Sequence, residues 1–303
     1  KLWRPVYGPM DLEFPGGVEI KQMPEEEMDR IADAFAVCAA NAAKVGFDAI
    51  LVHAGHGMLL SQFLDPLTNR RTDNYGGTHE NRARFLRMVL ERIRQRAGDR
   101  LVIELRVSGD SLEPDGNHIE DVIEYLRFVE PLIDIAHISC GDGNFLKMTR
   151  IHPSDFLPPA PNTKYARAAK ESGKLSIPIA TVGALQDLDV MEELHGKDKL
   201  LEELKEFFDK DLYNQGNEPD IHVPFMFNAL GAPECSQAVV RSLLTEDMLH
   251  RYGTHGPFPI PYYGKTFRNN PAGFIPEMDD DDGTMSAWFV FASMGFFPMT
   301  VGT

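Results

Sequence analysis

Cysteine is scarce in this chain: three in 303 residues, Cys38, Cys140 and Cys235. They lie far apart and show no paired metal spacing, which excludes a disulfide framework and a cysteine-rich metal site and fits a reducing cytoplasm. Long apolar runs are missing as well, so nothing in the sequence reads as a membrane span, and the first residues carry no signal-peptide pattern. Positive charge is in short supply, with 30 Lys and Arg against 46 Asp and Glu, a net charge of -16 and a pI near 5.0. Such a surface repels a phosphate backbone, which argues against nucleic acid or an anionic membrane as partner, although a local basic pocket could still hold a small anion. What is present is a globular composition: 43% hydrophobic residues, enough to bury a core.

Residues 1 to 22 are rich in Pro and Gly and read as irregular structure or a short hairpin. From Pro24 the pattern turns helical, with Glu25, Glu26 and Glu27 complementing the helix amino end and Met28, Ile31, Phe35, Cys38 and Ala42 on one face. Gly46 ends that helix, and the short aliphatic run Ala49–Val52 reads as a buried strand. The alternation continues: helix Asn81–Ala97, strand Leu101–Val107, helix Ile119–Val129, strand Asp134–Ser139, helix Tyr165–Ser172, strand Ile177–Val182. Parallel strands need a crossover, usually a helix, so four such units imply a parallel sheet with helices outside. Polar residues follow several successive strands: His53 and His56, then Arg106 and Ser108, then Ser139 to Asp142, then Gly183. That distribution favours a barrel over a doubly wound sheet, which would show one Gly-rich turn after its first strand.

The stretch from His53 to Arg82 contains Leu60-Ser-Gln-Phe-Leu-Asp-Pro-Leu-Thr-Asn-Arg-Arg-Thr-Asp-Asn-Tyr-Gly-Gly77 and then Glu80-Asn-Arg82. With Glu104-Leu-Arg-Val-Ser108, Ile138-Ser-Cys-Gly141 and Ile177-Pro-Ile-Ala-Thr-Val-Gly183, it resembles the Old Yellow Enzyme family, in particular its NADH:flavin oxidoreductase branch, from about Tyr7 to about Leu188. The resemblance implies a (β/α)8 TIM barrel that binds FMN, takes electrons from NAD(P)H and reduces an activated alkene. By resemblance His53 and His56 match the pair that grips the substrate oxygen, and two strand-end hydrogen-bond donors there would stabilise a developing enolate. The residue two beyond the second histidine is often a proton-donating Tyr in that family; here it is Met58, which has no proton to give. Arg106 matches the arginine lying against the flavin, and Gly183 a close approach to its phosphate. Without the resemblance, Arg106 would read as a surface or salt-bridged residue, Gly183 as a strand end, Cys140 as a small core residue and Asn69 to Asn81 as a solvated turn before a helix cap. The His-x-x-His pair has no third ligand in sequence and does not by itself make a metal site.

Beyond Val190 the barrel pattern stops. A flavin barrel should continue with a helix, a strand and a Gly-Arg phosphate loop, yet Met191 to Lys210 reads as a charged amphipathic helix with Leu194, Leu200, Leu204, Phe207 and Phe208 as its apolar set. Further helices are expected at His222–Leu230, Glu234–Tyr252 and Met285–Met294, with a Pro/Gly-rich loop from Gly253 to Pro276, so the remainder reads as all-α. Tyr213-Asn-Gln-Gly-Asn-Glu-Pro-Asp-Ile-His222, Phe225-Met-Phe-Asn228 and Ile275-Pro-Glu-Met-Asp-Asp-Asp-Asp-Gly-Thr-Met-Ser-Ala-Trp-Phe-Val-Phe291 resemble the carboxyl-terminal part of glycoside hydrolase family 92. Those are calcium-dependent inverting exo-α-mannosidases with an (α/α)6 toroid, of which residues 191 to 303 would be the last portion. Inverting hydrolysis needs an acid and a separate base, about 6.5–9.5 Å apart. By resemblance Glu218 matches the acid, and Asp279 and Asp281 the base candidates; four consecutive aspartates on their own would read as a solvated acidic turn. Asn217 and Asn228 are candidates for calcium or sugar contacts, and no metal ligand set is assigned.

The chain therefore reads as two unrelated fragments joined near Val190: residues 1 to 190, a partial flavin-dependent oxidoreductase barrel, and residues 191 to 303, a partial mannosidase catalytic domain, neither complete. Three functional readings follow: an FMN-dependent oxidoreductase fragment acting on a small activated alkene, an α-mannosidase fragment acting on an α-mannoside, and a non-functional chimeric product. The sequence leaves the oligomeric state open.

Overall fold

The structure, a computed structural model, describes residues 6–14, 18–141, 151, 153, 158–185, 188–217, 220–254, 256–271, 273–280 and 283–297. The chain divides into two compact units, Lys1–Leu185 and Gln186–Thr303.

The first unit opens with a three-stranded ribbon, β1 (Val6–Gly8), β2 (Leu12–Phe14) and β3 (Val18–Gln22), in the order β1-β3-β2. The short hairpin expected there is the antiparallel β2–β3 pair, and β1 adds to β3 in parallel. Helix α1 (Glu25–Val45) follows, closed by Gly46 in the left-handed region at φ 98°, where a side chain would be strained. Its buried stripe is Met28, Ala32, Ala36, Ala39 and Ala43, with Ile31 and Phe35 only partly covered and Cys38 exposed. The expected stripe is thus rotated towards small residues, because alanines let α1 lie close against α3 (His79–Ala97). Arg92 of α3 then reaches Asp29 and Asp33 of α1 at 2.7 and 2.5 Å.

Four parallel strands form the central sheet in the order β4 (Ala49–Ala54), β5 (Val102–Ser108), β6 (Ile135–Ser139) and β7 (Ile179–Thr181). Helix α2 (Leu59–Leu64) lies beyond β4, α4 (Ile119–Val129) joins β5 to β6, and α5 (Thr163–Glu171) precedes β7. Strand side chains alternate between faces. One face carries Val52, Ile103, Leu105, Val107, Ala136 and Ile138, all buried in a single continuous core with Phe85, Leu86, Val89, Tyr125 and Leu126 of the helices. Each fully buried Leu, Ile or Phe there contributes about 1.5–3 kcal/mol. The other face carries the polar side chains: in register across the sheet run His53, Arg106 and His137, with Glu104 one row back between Leu51 and Ile135, and Ser108 and Ser139 one row on.

The loop before α3 is a built structure rather than a solvated turn. Buried Asn69 donates to the carbonyls of Phe63 and Tyr75 at 2.6 and 2.7 Å. Buried Arg71 donates through Nη1 to the carbonyls of Pro9 and Met23, both at 3.0 Å, and pairs with Asp73, whose carboxyl it holds below its usual range. Gly76 is obligatory, since a Cβ would stand 2.1 Å from the Arg71 carbonyl oxygen.

The second unit departs from the all-α expectation. Its helices are α6 (Leu188–His195), α7 (Lys197–Asp209), α8 (Val223–Ala229), α9 (Pro233–Thr245) and α10 (Thr284–Met294). The single helix expected from Met191 to Lys210 is broken by Gly196 at φ 81°. The helix expected to run to Tyr252 stops at Thr245, and an antiparallel hairpin follows, β8 (Asp247–Gly253) with β9 (Gly256–Lys265). Pro257, Pro259 and Pro261 make β9 read as loop. In a two-stranded ribbon, however, alternate residues turn their N–H away from the partner, and prolines spaced by two sit on that unpaired edge. The unit holds two separate small cores, one around Leu204, Met226, Phe227 and Leu230, the other around Phe225, Val240, Leu243, Trp288 and Ala292.

Candidate functional site

At the carboxyl edge of the sheet, β4 places His53 in register with Arg106 of β5, which pairs with His137 of β6. The chain then turns sharply. Gly55 lies so close to Ser108 that a Cβ would meet its N and Oγ at 3.0 Å, and His56 takes a positive φ of 58°. Strain of that kind in a non-glycine residue is held only where surrounding bonds fix it. Here the His56 N–H donates to Ser108 Oγ at 3.0 Å, and Ser108 Oγ donates to the Gly141 carbonyl. The His56 ring is buried, with Nδ1 3.3 Å from His53 Nε2 and Nε2 2.8 Å from Ser139 Oγ.

Burial pushes the His53 pKa down, and the neighbouring Arg106 charge adds to the effect, so the ring is neutral around pH 7. On the same face His137 Nδ1 contacts Glu104. Among the described residues, His53 Nδ1, Arg106 Nε and His137 Nε2 are buried without a hydrogen-bond partner. Three orphaned polar nitrogens on one sheet face are costly by themselves and fit a planar ligand rich in acceptor atoms, which a flavin ring is. Gly183, just after β7, has φ 115°, and a Cβ there would stand 2.8 Å from Asn162 Nδ2 and 2.9 Å from Pro153. Glycine is therefore required by conformation and by space. Met58 is exposed at the start of α2.

The structure thus joins His53, His56 and Arg106 in one site. Ser139, expected among the polar strand ends, lies on that face too, whereas sequence reasoning missed Glu104 and His137 as members of it; His137 and Ser139, two apart in Ile135-Ala-His-Ile-Ser139, were the available signal.

In the second unit the two motif segments meet. The Asp279 N–H is shared between Thr254 Oγ1 at 2.9 Å and the Gly216 carbonyl at 3.2 Å, and Thr254 Oγ1 donates to the same carbonyl at 2.7 Å. Glu218 and Asp281 lie outside the described residues. Asp280 accepts from Ser286 N and Oγ at 2.9 and 2.6 Å, which ties it to the first turn of α10. Burial raises its pKa, but the Ser286 bonds prevail and hold it below the usual range. Asp220, two residues past Glu218, is shifted up by burial, which His222 partly opposes; half-buried Tyr213 is also shifted up, chiefly by desolvation and further by Asp220. Asn228 lines a cavity of about 340 Å³ with Phe225, Ser236 and Phe297. Among the described residues, no three His, Cys, Asp or Glu side chains gather as a metal site would require, and no helix is long and apolar enough to cross a membrane.

A parallel sheet flanked by helices, with its polar constellation at the carboxyl edge, defines the first unit as an α/β protein of the class that places chemistry at strand ends. The chain belongs to the NADH:flavin oxidoreductase / NADH oxidase family, whose model matches residues 6–200. The model of the glycosyl hydrolase family 92 catalytic domain matches residues 155–253 and 261–303, so the two overlap across 155–200. Curated relatives include an NADPH dehydrogenase of Clostridium acetobutylicum, 35% identical over 176 residues, 57% of this chain and 49% of that one. An NADH oxidase of Thermoanaerobacter brockii is 30% identical over 179 residues, 59% of this chain and 27% of that one. The chain thus spans half or less of these relatives. Among solved structures, a 2-naphthoyl-CoA reductase complex matches with a TM-score of 0.54 at 29% identity, covering 63% of this chain and 29% of that one. A histamine dehydrogenase from Rhizobium sp. 4-9 matches with a TM-score of 0.55 at 28% identity, covering 62% of this chain and 27% of that one.

Proposed function

We propose that residues 1 to 190 are a partial TIM barrel of an FMN-dependent, NAD(P)H-oxidising reductase of the ene-reductase type, acting on a small activated alkene. The observation that carries the reading is the His53–His56 pair, 3.3 Å apart, beside the orphaned Arg106 Nε on one sheet face. Bound there, FMN would supply hydride transfer from NAD(P)H to the alkene. Arg106 would lie against the ring as a fixed cation and favour its electron-rich state. Neutral His53 would donate a hydrogen bond to the substrate oxygen as negative charge develops on it, with His56, 3.3 Å away, completing the pair. Gly183 would let the backbone approach the phosphate. Met58 supplies no proton, so solvent or another residue delivers it. After β7 the described residues add no further strand to this sheet, which supports an incomplete barrel. The test is spectroscopic: the reconstituted chain should be yellow, with a bound-flavin spectrum bleached by NAD(P)H. A preparation that stays colourless after reconstitution rejects the reading.

A second reading rests on the meeting of the 214–217 and 277–280 segments around Gly216. It makes residues 191 to 303 part of the toroid of a calcium-dependent inverting α-mannosidase, with Glu218 as acid, Asp279 or Asp281 as base, and Asn217 or Asn228 as sugar or calcium contacts. Release of mannose from an α-mannoside only with calcium, and its loss in Glu218→Gln, is the expected outcome; activity untouched by that substitution removes the proposed acid. Both readings together describe a chimera joined near Val190, and sequencing the locus across codon 190 in a single read decides whether one polypeptide exists.

A further inference from the structure

Behind the histidine pair stands a hydroxyl with a single acceptor. Ser139 is fully buried at the end of β6, and among the described residues its Oγ meets only His56 Nε2, at 2.8 Å. A neutral imidazole carries one N–H and one bare nitrogen, so bonding at one end of a ring dictates what the other end can do. Buried donors are left without acceptors less often than buried acceptors without donors. The Ser139 hydroxyl therefore donates to His56 Nε2. That bare nitrogen puts the His56 proton on Nδ1, which faces His53 Nε2 at 3.3 Å and donates to it. The proton of His53 then sits on Nδ1, the buried nitrogen without a partner, on the same sheet face as Arg106 Nε. Among the described residues this orientation leaves one buried group unmet, the His53 Nδ1–H, whereas the reverse leaves two, the Ser139 hydroxyl proton and the His53 Nδ1 lone pair.

We propose that Ser139 is a positioning residue which, acting through His56, fixes the proton of His53 on Nδ1 and so presents that N–H to an acceptor oxygen, a carbonyl or carboxylate, on the sheet face. The identity of the acceptor rests on the oxidoreductase reading; the proton positions do not. Burial and the Arg106 charge keep His53 neutral, the state in which the linkage operates. The strained turn at His56, pinned through its N–H by Ser108, holds the ring where both contacts form.

The test is long-range proton–nitrogen NMR of the histidine rings in the flavin-free, 15N-labelled chain at pH 8, with signals assigned through His53→Gln and His56→Gln. Both rings should carry their proton on Nδ1 rather than Nε2. Ser139→Ala should move the His56 proton to Nε2 and release His53 from a single form, and Ser139→Thr should restore the original pattern. An Nε2-protonated His56 in the unsubstituted chain, or an unchanged pattern in Ser139→Ala, overturns the proposal. Should Ser139→Ala fail to fold, the unsubstituted spectrum decides alone. Because no flavin is present, the expected tautomers together with a failure to bind flavin would reject the oxidoreductase reading and leave this one standing.

Discussion

The two units solve the burial problem at different scales. In the first, one core runs without a break from α1 through α3 to the inner face of β4–β7 and on to α4 and α5, and polar anchors such as Arg71 and Tyr125 tie its loops to it. In the second, Leu204 and Phe227 belong to one small cluster, Trp288 and Leu243 to another. The difference shows what a repeated strand-helix unit achieves. Each repeat adds to the same core, so stability accumulates, whereas unlike helices and a ribbon each have to find their own partners.

Substitutions confined to one unit test that contrast, because in a Trp3→Phe background the buried Trp288 is the one tryptophan left and reports unfolding of the second unit. The largest effect is expected from Gly76→Ala, whose Cβ would stand 2.1 Å from a backbone oxygen. It should cost the first unit about 3 kcal/mol or more in urea denaturation and leave the Trp288 transition in place. Tyr125→Phe comes next. The hydroxyl donates to the Leu64 carbonyl at 2.8 Å, meets Asn117 Oδ1 at 3.0 Å and accepts from Arg82 Nε at 2.8 Å. Stranding these groups should cost about 1–3 kcal/mol, again in the first unit only. In the second unit Asp280→Ala removes the acceptor for the Ser286 N–H, and a loss of about 1 kcal/mol should appear in the Trp288 transition alone. If any of these three substitutions shifts both transitions together, the two units fold as one and the contrast fails.

The smallest effect is a pH dependence of the first unit. His53 has its folded pKa lowered from 6.5 by burial and by Arg106. The unfolded chain therefore takes up the proton first as the pH falls, and the His53 contribution, present above pH 6.5, is lost below it as the pH drops towards the folded pKa. His53→Gln should lose less stability than the unsubstituted chain between pH 7.5 and 5.5, read from urea midpoints; equal losses would mean that the ring is not held neutral.

The same contrast governs how much was legible beforehand. The strands β4 to β7 could be read because their aliphatic runs are short and recur with helices between them, and His53 and His56 could be placed at a strand end on that basis alone. Both resemblances are matched by family models. The union of His53, Arg106 and His137 could not be read, since register is set by the whole sheet and no spacing along the chain encodes it. The rotated face of α1 was missed because alanine gives little apolar signal where it matters for close packing. In the second unit the prolines of β9 hid a strand, and Gly196 divided a helix whose periodicity seemed continuous across it.

The most direct test of the central claim, that the carboxyl edge of β4–β6 is a flavin oxidoreductase site, is an FMN titration followed by quenching of flavin fluorescence. The unsubstituted chain should bind FMN saturably, and the double substitution His53→Ala with Arg106→Met should weaken binding at least tenfold while the far-ultraviolet circular dichroism is retained. Equal binding by the two chains, or none by either, would contradict the account.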